Sequence, residues 1–339
     1  MWERRHWLIV FLLGLIIVLS GCGTPSEDKV MQKVEKALED IQTYKIQADM
    51  KITSEEDGRT YLMDVWYEKR DTDFYRVTLH KQDDEDSKQI ILKNEEGVFV
   101  LTPKLNKSFK FQADWPKNNR QPYLLQTVMQ DILDDRNVTM VEEEDFYVFE
   151  TVTNYQNNPN LPYQYVYIDK KNHMPKAVQL LDEEKTIQME VSFHDEQFEA
   201  EFAKTDFDRK AILDEALAKE YVDGEVDNDF VASYPLELLG ATLNEEEYIE
   251  LDGGIRAITT FKGEKDFTLI QEQIDSLKVG AEERETMGEV VHLGHSIGVF
   301  SANGLEWNAN NVHYQLASDD LTREEMIDIA VSMEAEYIK

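Results

Sequence analysis

Cysteine is almost missing from this chain. Cys22 is the single one among 339 residues, so no disulfide can form within the molecule and the fold must rest on packing. Positive charge is scarce as well: 35 Lys and Arg face 69 Asp and Glu, a net charge of −34. Such a body is repelled by phosphate polymers and by anionic headgroups, which excludes nucleic acid as a partner. The phosphate-cradling loops G-x-x-x-x-G-K-[ST] and G-x-G-x-x-G are absent, and so is the zinc motif H-E-x-x-H. No internal repeat or low-complexity tract interrupts the chain. No cofactor is expected. What the chain does have is a hydrophobic fraction of 42%, enough for real cores, and a length that suits two domains.

The one long apolar run lies from Trp7 to Leu19, behind Arg4 and Arg5 and ahead of Ser20-Gly21-Cys22. A basic start, an apolar middle and a small-residue processing site make a secretory leader. The run is short of the roughly 20 residues a membrane span needs. Its Leu19-Ser20-Gly21-Cys22 ending resembles the lipobox of bacterial lipoproteins. That resemblance implies removal of residues 1–21, a diacylglyceryl group with palmitate-type chains on the Cys22 thiol, and attachment to the outer face of the cell membrane. Two acyl chains hold stably where one holds marginally. The leader's Glu3, Arg4 and Arg5 sum to +1, so the remainder carries −35. The tether would hold an acidic body that stands off the lipid surface.

Thr24-Pro25-Ser26-Glu27 reads as a helix start, with Thr24 as cap and Pro25 at the first helical position. Val30, Val34, Leu38 and Ile41 then form one apolar stripe. Period-two alternation follows in Tyr44–Ile52, Tyr61–Tyr67 and Tyr75–Leu79. Further runs lie near 88–93, 97–102, 107–113, 137–142, 145–152, 163–169, 176–182 and 185–194. Turn-forming clusters such as Asp57-Gly58 and Glu95-Glu96-Gly97 separate them. One helical stretch, Pro122 to Leu133, interrupts the series. About eleven strands with few helices indicate an antiparallel α+β sheet rather than alternating βαβ units. A helix from Thr205 to about Lys219 and a polar linker over 223–229 lead to a second α+β domain. Its strand-like runs lie near 246–251, 255–262, 266–272, 288–293, 297–301 and 311–316. A closing helix carries a Thr322/Glu325 capping box and an apolar side of Met326, Ile329, Ala330 and Met333.

The segment Asn94-Glu95-Glu96-Gly97-Val98-Phe99-Val100-Leu101-Thr102-Pro103, continued by Leu105 to Phe111 and Trp115-Pro116, resembles the sporulation lipoproteins of the YdcC type. Asn154-Tyr155-Gln156-Asn157-Asn158 and Leu161-Pro162 share in that resemblance. These proteins belong to the wider LolA/LolB-like lipoprotein-carrier superfamily. Residues 297–333, with Leu305-Glu306-Trp307 and Tyr314-Gln315-Leu316, resemble a small C-terminal domain of unknown function that accompanies such lipoproteins. The resemblance implies an incomplete antiparallel barrel wrapped over helices, whose concave face binds acyl chains. Its expected layout is a leader over 1–21, a LolA-like half-barrel over 22–204, a joint over 205–229 and a small α+β domain over 230–339. The soluble carriers have no lipid of their own, so the lipobox favours a tethered receptor or scaffold over a shuttle.

Aromatics supply the candidate apolar concavity: Trp66, Tyr75, Phe99, Phe109, Phe111 and Trp115. Taken singly, such residues are ordinary core; taken together they could line an open surface that an acyl chain fills. Gly294-His295-Ser296-Ile297-Gly298 matches the G-x-S-x-G elbow of serine hydrolases. That chemistry needs a strand-turn-helix and later acid and histidine partners. Here Val299-Phe300-Ser301 reads as strand, Glu306 is the one acid before His313, and a hairpin turn is the preferred reading. No catalytic residue is assigned. His292, His295 and His313 lack the spacing of a metal site, and Asp223–Asp229 lacks the closing Glu of a calcium loop. The expected function is an extracytoplasmic, membrane-tethered protein that binds a lipid moiety, a lipoprotein or an envelope protein in sporulation. The alternatives are a lipid-sensing regulator of a membrane signalling partner and an envelope serine hydrolase. Intact mass of the membrane-extracted protein tests the anchor: the expected species begins at Cys22 and carries the diacylglyceryl group, and an uncleaved chain with a free thiol would refute it.

Overall fold

The computed structural model describes residues 25–53, 59–103, 107–111, 120–153, 161–215, 230–251, 254–274, 282–286, 288–293, 296–301, 304–309 and 312–333. Helix α1 (Glu27–Asp40) opens at Ser26, whose carbonyl accepts from the Lys29 and Val30 amides. The start expected at Thr24 and Pro25 is therefore corrected: Pro25 precedes the helix, and Ser26 takes the cap position without a side-chain hydrogen bond. Thr24 lies outside the described residues. Val30 and Val34 are fully buried, each worth about 1.5–3 kcal/mol of transfer.

Six strands follow as a meander: β1 (Thr43–Ile52), β2 (Arg59–Lys69), β3 (Asp73–Lys81), β4 (Asp84–Asn94), β5 (Gly97–Thr102) and β6 (Lys107–Phe111). Helix α2 (Leu125–Asp134) then crosses to a second meander, β7 (Thr139–Glu142), β8 (Phe146–Val152), β9 (Tyr163–Asp169), β10 (Pro175–Leu181) and β11 (Ile187–Phe198). β1 pairs with β11, so the spatial order runs β6-β5-β4-β3-β2-β1-β11-β10-β9-β8-β7. All eleven are antiparallel, β6 and β7 do not meet, and the sheet is open. This is the incomplete barrel that the family resemblance implies, built from the antiparallel strands that the alternation indicates.

Helix α2 packs on β8 and β10, and α1 packs on α2. The Asp131 carboxylate of α2 takes Arg120 Nη1 at 2.6 Å and Gln164 Nε2 at 2.9 Å, and Asp135 takes Thr151 Oγ1 at 2.8 Å. These bonds fasten the helix to the ends of β8 and β9. The opposite, convex face of β3–β5 is covered by the chain after β11, where Phe207, Ile212 and Leu213 pack on Phe74, Ile90, Leu92, Phe99 and Leu101. The single helix expected from Thr205 is instead a 3-10 turn, Lys204–Phe207, followed by a helical stretch from 209. Asp208 breaks them, because its side chain accepts from the Ala211 amide and caps the second piece. The stretch 216–229, with the expected linker, lies outside the described residues.

The second sheet has the order β12-β13-β14-β19-β18-β17-β16. Its strands are β12 (Thr242–Leu251), β13 (Gly254–Lys262), β14 (Phe267–Ile274), β16 (Gly288–His292), β17 (Ile297–Ser301), β18 (Gly304–Ala309) and β19 (Val312–Ala317). Helix α3 (Arg323–Ser332) lays Met326, Ile329 and Ala330 on Leu269, Leu305, Trp307 and Leu316, and Met333 just beyond it joins them. Its capping box forms as expected: Thr322 Oγ1 accepts from the Glu325 amide at 3.3 Å, and Glu325 Oε2 accepts from the Thr322 amide at 2.9 Å. Two strands had no counterpart among the expected runs. β18 is buried on both faces and so does not alternate. The other, β15 (Glu282–Thr286), is mostly charged and adds in parallel to β6, at the edge of the first sheet.

Among the described residues no helix is long and apolar enough to cross a membrane. Ile91, at the centre of the helix-covered core, is fully buried. Ile91→Ala is expected to cost about 2–5 kcal/mol, read as a lower urea midpoint with an unchanged denaturant slope.

Candidate binding surface on the concave face

Cross-strand register arranges the concave face in rows. The middle row is aliphatic: Ile46, Val65, Val77, Ile91 and Val100 are successive partners across β1 to β5. One step along the strands lies an aromatic row, Phe198, Tyr44, Tyr67 and Tyr75, which continues into Lys93 and Val98. On the other side lies the row Phe193, Ala48, Met63 and Leu79, which ends at Gln89. The apolar members of all three rows are buried except Phe198 at the rim, which is half-buried.

The aromatic row is built tightly. Tyr44 and Tyr67 stack at 5.2 Å, and Tyr67 and Tyr75 approach to 5.4 Å. The Tyr44 hydroxyl donates to Gln126 Oε1 of α2 at 2.7 Å. The Asp73 carboxylate accepts from Tyr67 at 3.0 Å and from Tyr75 at 3.3 Å. Burial raises all three phenol pKa values above their ordinary range. Tyr67 raises that of Tyr44 further, and the Asp73 charge does the same for Tyr67 and Tyr75. These groups therefore serve as neutral hydrogen-bond donors, which orient side chains without bringing a charge into the apolar face.

Of the six expected concavity residues, the three whose side chains the structure describes divide between the two faces. Tyr75 belongs to the concave face. Trp66 and Phe99 project to the convex side, into the cluster with Phe202 and Phe207. Strand parity explains the division, since Trp66 is out of phase with Met63, Val65 and Tyr67. The backbones of Phe109 and Phe111 pair with Val100 and Val98. Trp115 and Cys22 lie outside the described residues. Sequence reasoning missed Tyr44, Tyr67, Asp73 and Gln89 as site residues. The readable signal was the common phase of Tyr44, Tyr67 and Tyr75 in consecutive alternating segments.

Ser296 lies at the hairpin between β16 and β17, where the Leu293 amide donates to the Ser296 carbonyl at 2.9 Å. A strand follows it, not a helix, and its buried hydroxyl has no hydrogen-bond partner among the described residues. The His313 Nδ1 is engaged by Asn308 Oδ1 at 2.9 Å. A nucleophile elbow is not assembled here. Among the described residues no group of three or more His, Cys, Asp and Glu is placed to hold a metal ion; Gly294, His295 and residues 223–229 are outside them.

An open antiparallel half-barrel wrapped over two helices, with a smaller helix-backed sheet, defines the structural class. The chain belongs to the YdcC-like family of sporulation proteins, whose family model matches residues 4–207. Sporulation protein YdcC of Bacillus subtilis (strain 168) is 37% identical over 338 residues, 99% of each chain. Among solved structures, the chain is similar to a chain of the Pseudomonas aeruginosa MucA/MucB complex, at 14% identity with a TM-score of 0.33 over 90% of this chain and 96% of that one. It is also similar to a LolA superfamily protein from Nitrosomonas europaea, at 8% identity with a TM-score of 0.30 over 55% of this chain and 99% of that one.

The raised tyrosine pKa values carry a sign. A phenol whose folded pKa exceeds its unfolded value of about 10 stabilises the fold below that pH, and the contribution is lost as pH rises toward the folded value. Absorbance titration is expected to show Tyr44, Tyr67 and Tyr75 ionising only with alkaline unfolding. The Tyr67→Phe variant should unfold at a higher pH than the parent relative to its own neutral stability. Ionisation of all 15 tyrosines before any loss of structure would contradict the buried row.

Proposed function

We propose that this protein is a lipid-anchored, extracytoplasmic binding protein of sporulation. It holds an apolar moiety, the acyl chain of a lipid or lipoprotein, against the concave face of the half-barrel. The observation that carries the reading is the unbroken aliphatic row Ile46-Val65-Val77-Ile91-Val100, which crosses five strands in register. A flexible chain laid along such a row gains about 0.8 kcal/mol for each methylene removed from water. Hydrogen-bonded tyrosines border the row on one side, and Gln89 ends the row on the other. Binding of this kind is partitioning and needs no bond-making group.

Family membership supports the sporulation role. The lipobox at Cys22 supports the compartment, because an acylated amino terminus confines the search for a ligand to the membrane surface. The acidic body, at −34 for the full chain, supports a protein held off anionic headgroups rather than spread on them.

Native mass spectrometry of the mature chain with Cys22→Ser, purified from a lipid-containing host, tests the reading. The expected spectrum contains a second species heavier by one acyl lipid, released by organic extraction. A consistently lipid-free protein would replace capture with scaffolding.

A further inference from the structure

The buried concave face already has an occupant from the same chain. Ile297 and Val299 of β17 belong to the helix-covered core of the half-barrel, whereas Gly298 between them faces the core of the second sheet. Gln89 holds them there. Its Nε2 donates to the Asn308 carbonyl at 2.6 Å, and its Oε1 accepts from the Ile297 amide at 2.9 Å. Gly298 and Trp307 are the last paired residues of β17 and β18 at this end. The Gln89 carboxamide thus takes the place of the next backbone pair. Asn308 Nδ2 also donates to Thr102 Oγ1 at 2.9 Å, and all three side chains are buried. Gly288 sets the approach of the strand that leads in: a Cβ there would lie 2.3 Å from the Phe300 carbonyl oxygen.

We infer that the β17–β18 end is a resident plug of the concave face, latched by Gln89 and Thr102, and that an acyl chain enters when this latch opens. The inference rests on the binding function proposed above and adds its regulation. Two branched aliphatic side chains occupy apolar surface that an incoming chain would use, so plug and ligand compete. Apparent affinity then falls in proportion to the fraction of molecules with the plug released. A partner that held the second sheet away would raise it.

The test compares the mature chain carrying Cys22→Ser with the same chain carrying Gln89→Ala or Thr102→Val. Hydrogen exchange reads the latch and dansyl-labelled undecanoic acid reads binding. Loss of two buried hydrogen bonds in Gln89→Ala should speed exchange over 297–301 by about tenfold, and loss of one in Thr102→Val by about threefold. Exchange over 254–262 should stay unchanged, and probe affinity should rise by similar factors. Unchanged exchange at 297–301 would overturn the latch. Faster exchange with unaltered probe affinity would overturn the competition and leave the binding function standing. Faster exchange with no probe bound by any of the proteins would overturn both. If Gln89→Ala fails to fold, Thr102→Val, which keeps the side-chain shape, decides the same outcomes.

Discussion

The pairing of β1 with β11 is the constraint on which the half-barrel depends. Eight residue partners, from Tyr44↔Phe198 to Ile52↔Met189, join two meanders that are otherwise separate along the chain. A pairing at this sequence separation carries a loop-closure cost, which the sheet recovers through the faces it then buries. The register shift between Lys45 and Gln47 bends the strand at the seam and deepens the curvature. Because α2 lies in the crossover between β6 and β7, closing the seam traps that helix inside the curve. The aliphatic and aromatic rows become continuous only across this joined sheet.

An open sheet leaves edges, and the chain treats them differently. β7 is four residues long and ends in Glu142, a short charged edge. The edge strand β12 of the second sheet carries Glu245, Glu246, Glu247 and Glu250, which discourage pairing with another chain. The β6 edge is covered by β15 of the later chain. The second sheet is thus tied to the first by strand addition at one edge, by the Gln89 contact at the concave rim, and by Ile297 and Val299 in the core.

Several cations of this acidic chain lie over aromatic rings. Lys45 Nζ lies 4.4 Å and Arg76 Cζ 4.7 Å from the Trp66 ring centre, and Arg70 Cζ lies 4.1 Å from that of Phe74. Arg76 also donates to the Asp206 carbonyl at 3.3 Å. Lys45 Nζ and Arg70 Cζ also lie 4.8 Å and 5.7 Å from the ring centres of Phe202 and Phe207, and with the Arg76 bond these contacts fasten the segment after β11 to the convex face. Partial desolvation makes such cation–π pairs worth more than isolated surface ion pairs. The aromatics of Trp66 and Phe74 therefore serve the convex side of the sheet.

What could be read from the chain alone was local. Alternating and short apolar runs located β1 to β11, the Thr322/Glu325 pair located the start of α3, and the strand pattern of Val299-Phe300-Ser301 spoke against a helix after Ser296. Each depends on neighbours within a turn of helix or a few strand residues. The face that each strand presents was legible only where alternation was clean, as at Tyr61, Met63, Val65 and Tyr67. In β5 both faces are buried, so Phe99 carried no phase. β18 lost its alternation for the same reason: Leu305 and Trp307 meet α3, while Asn308 meets Thr102 and Gln89. The use of Gln89 as a substitute for a backbone pair, and of β17 as a filling for the first sheet, was decided by tertiary structure alone. Those contacts join residues more than two hundred positions apart, and nothing in a local pattern encodes which buried face will meet which.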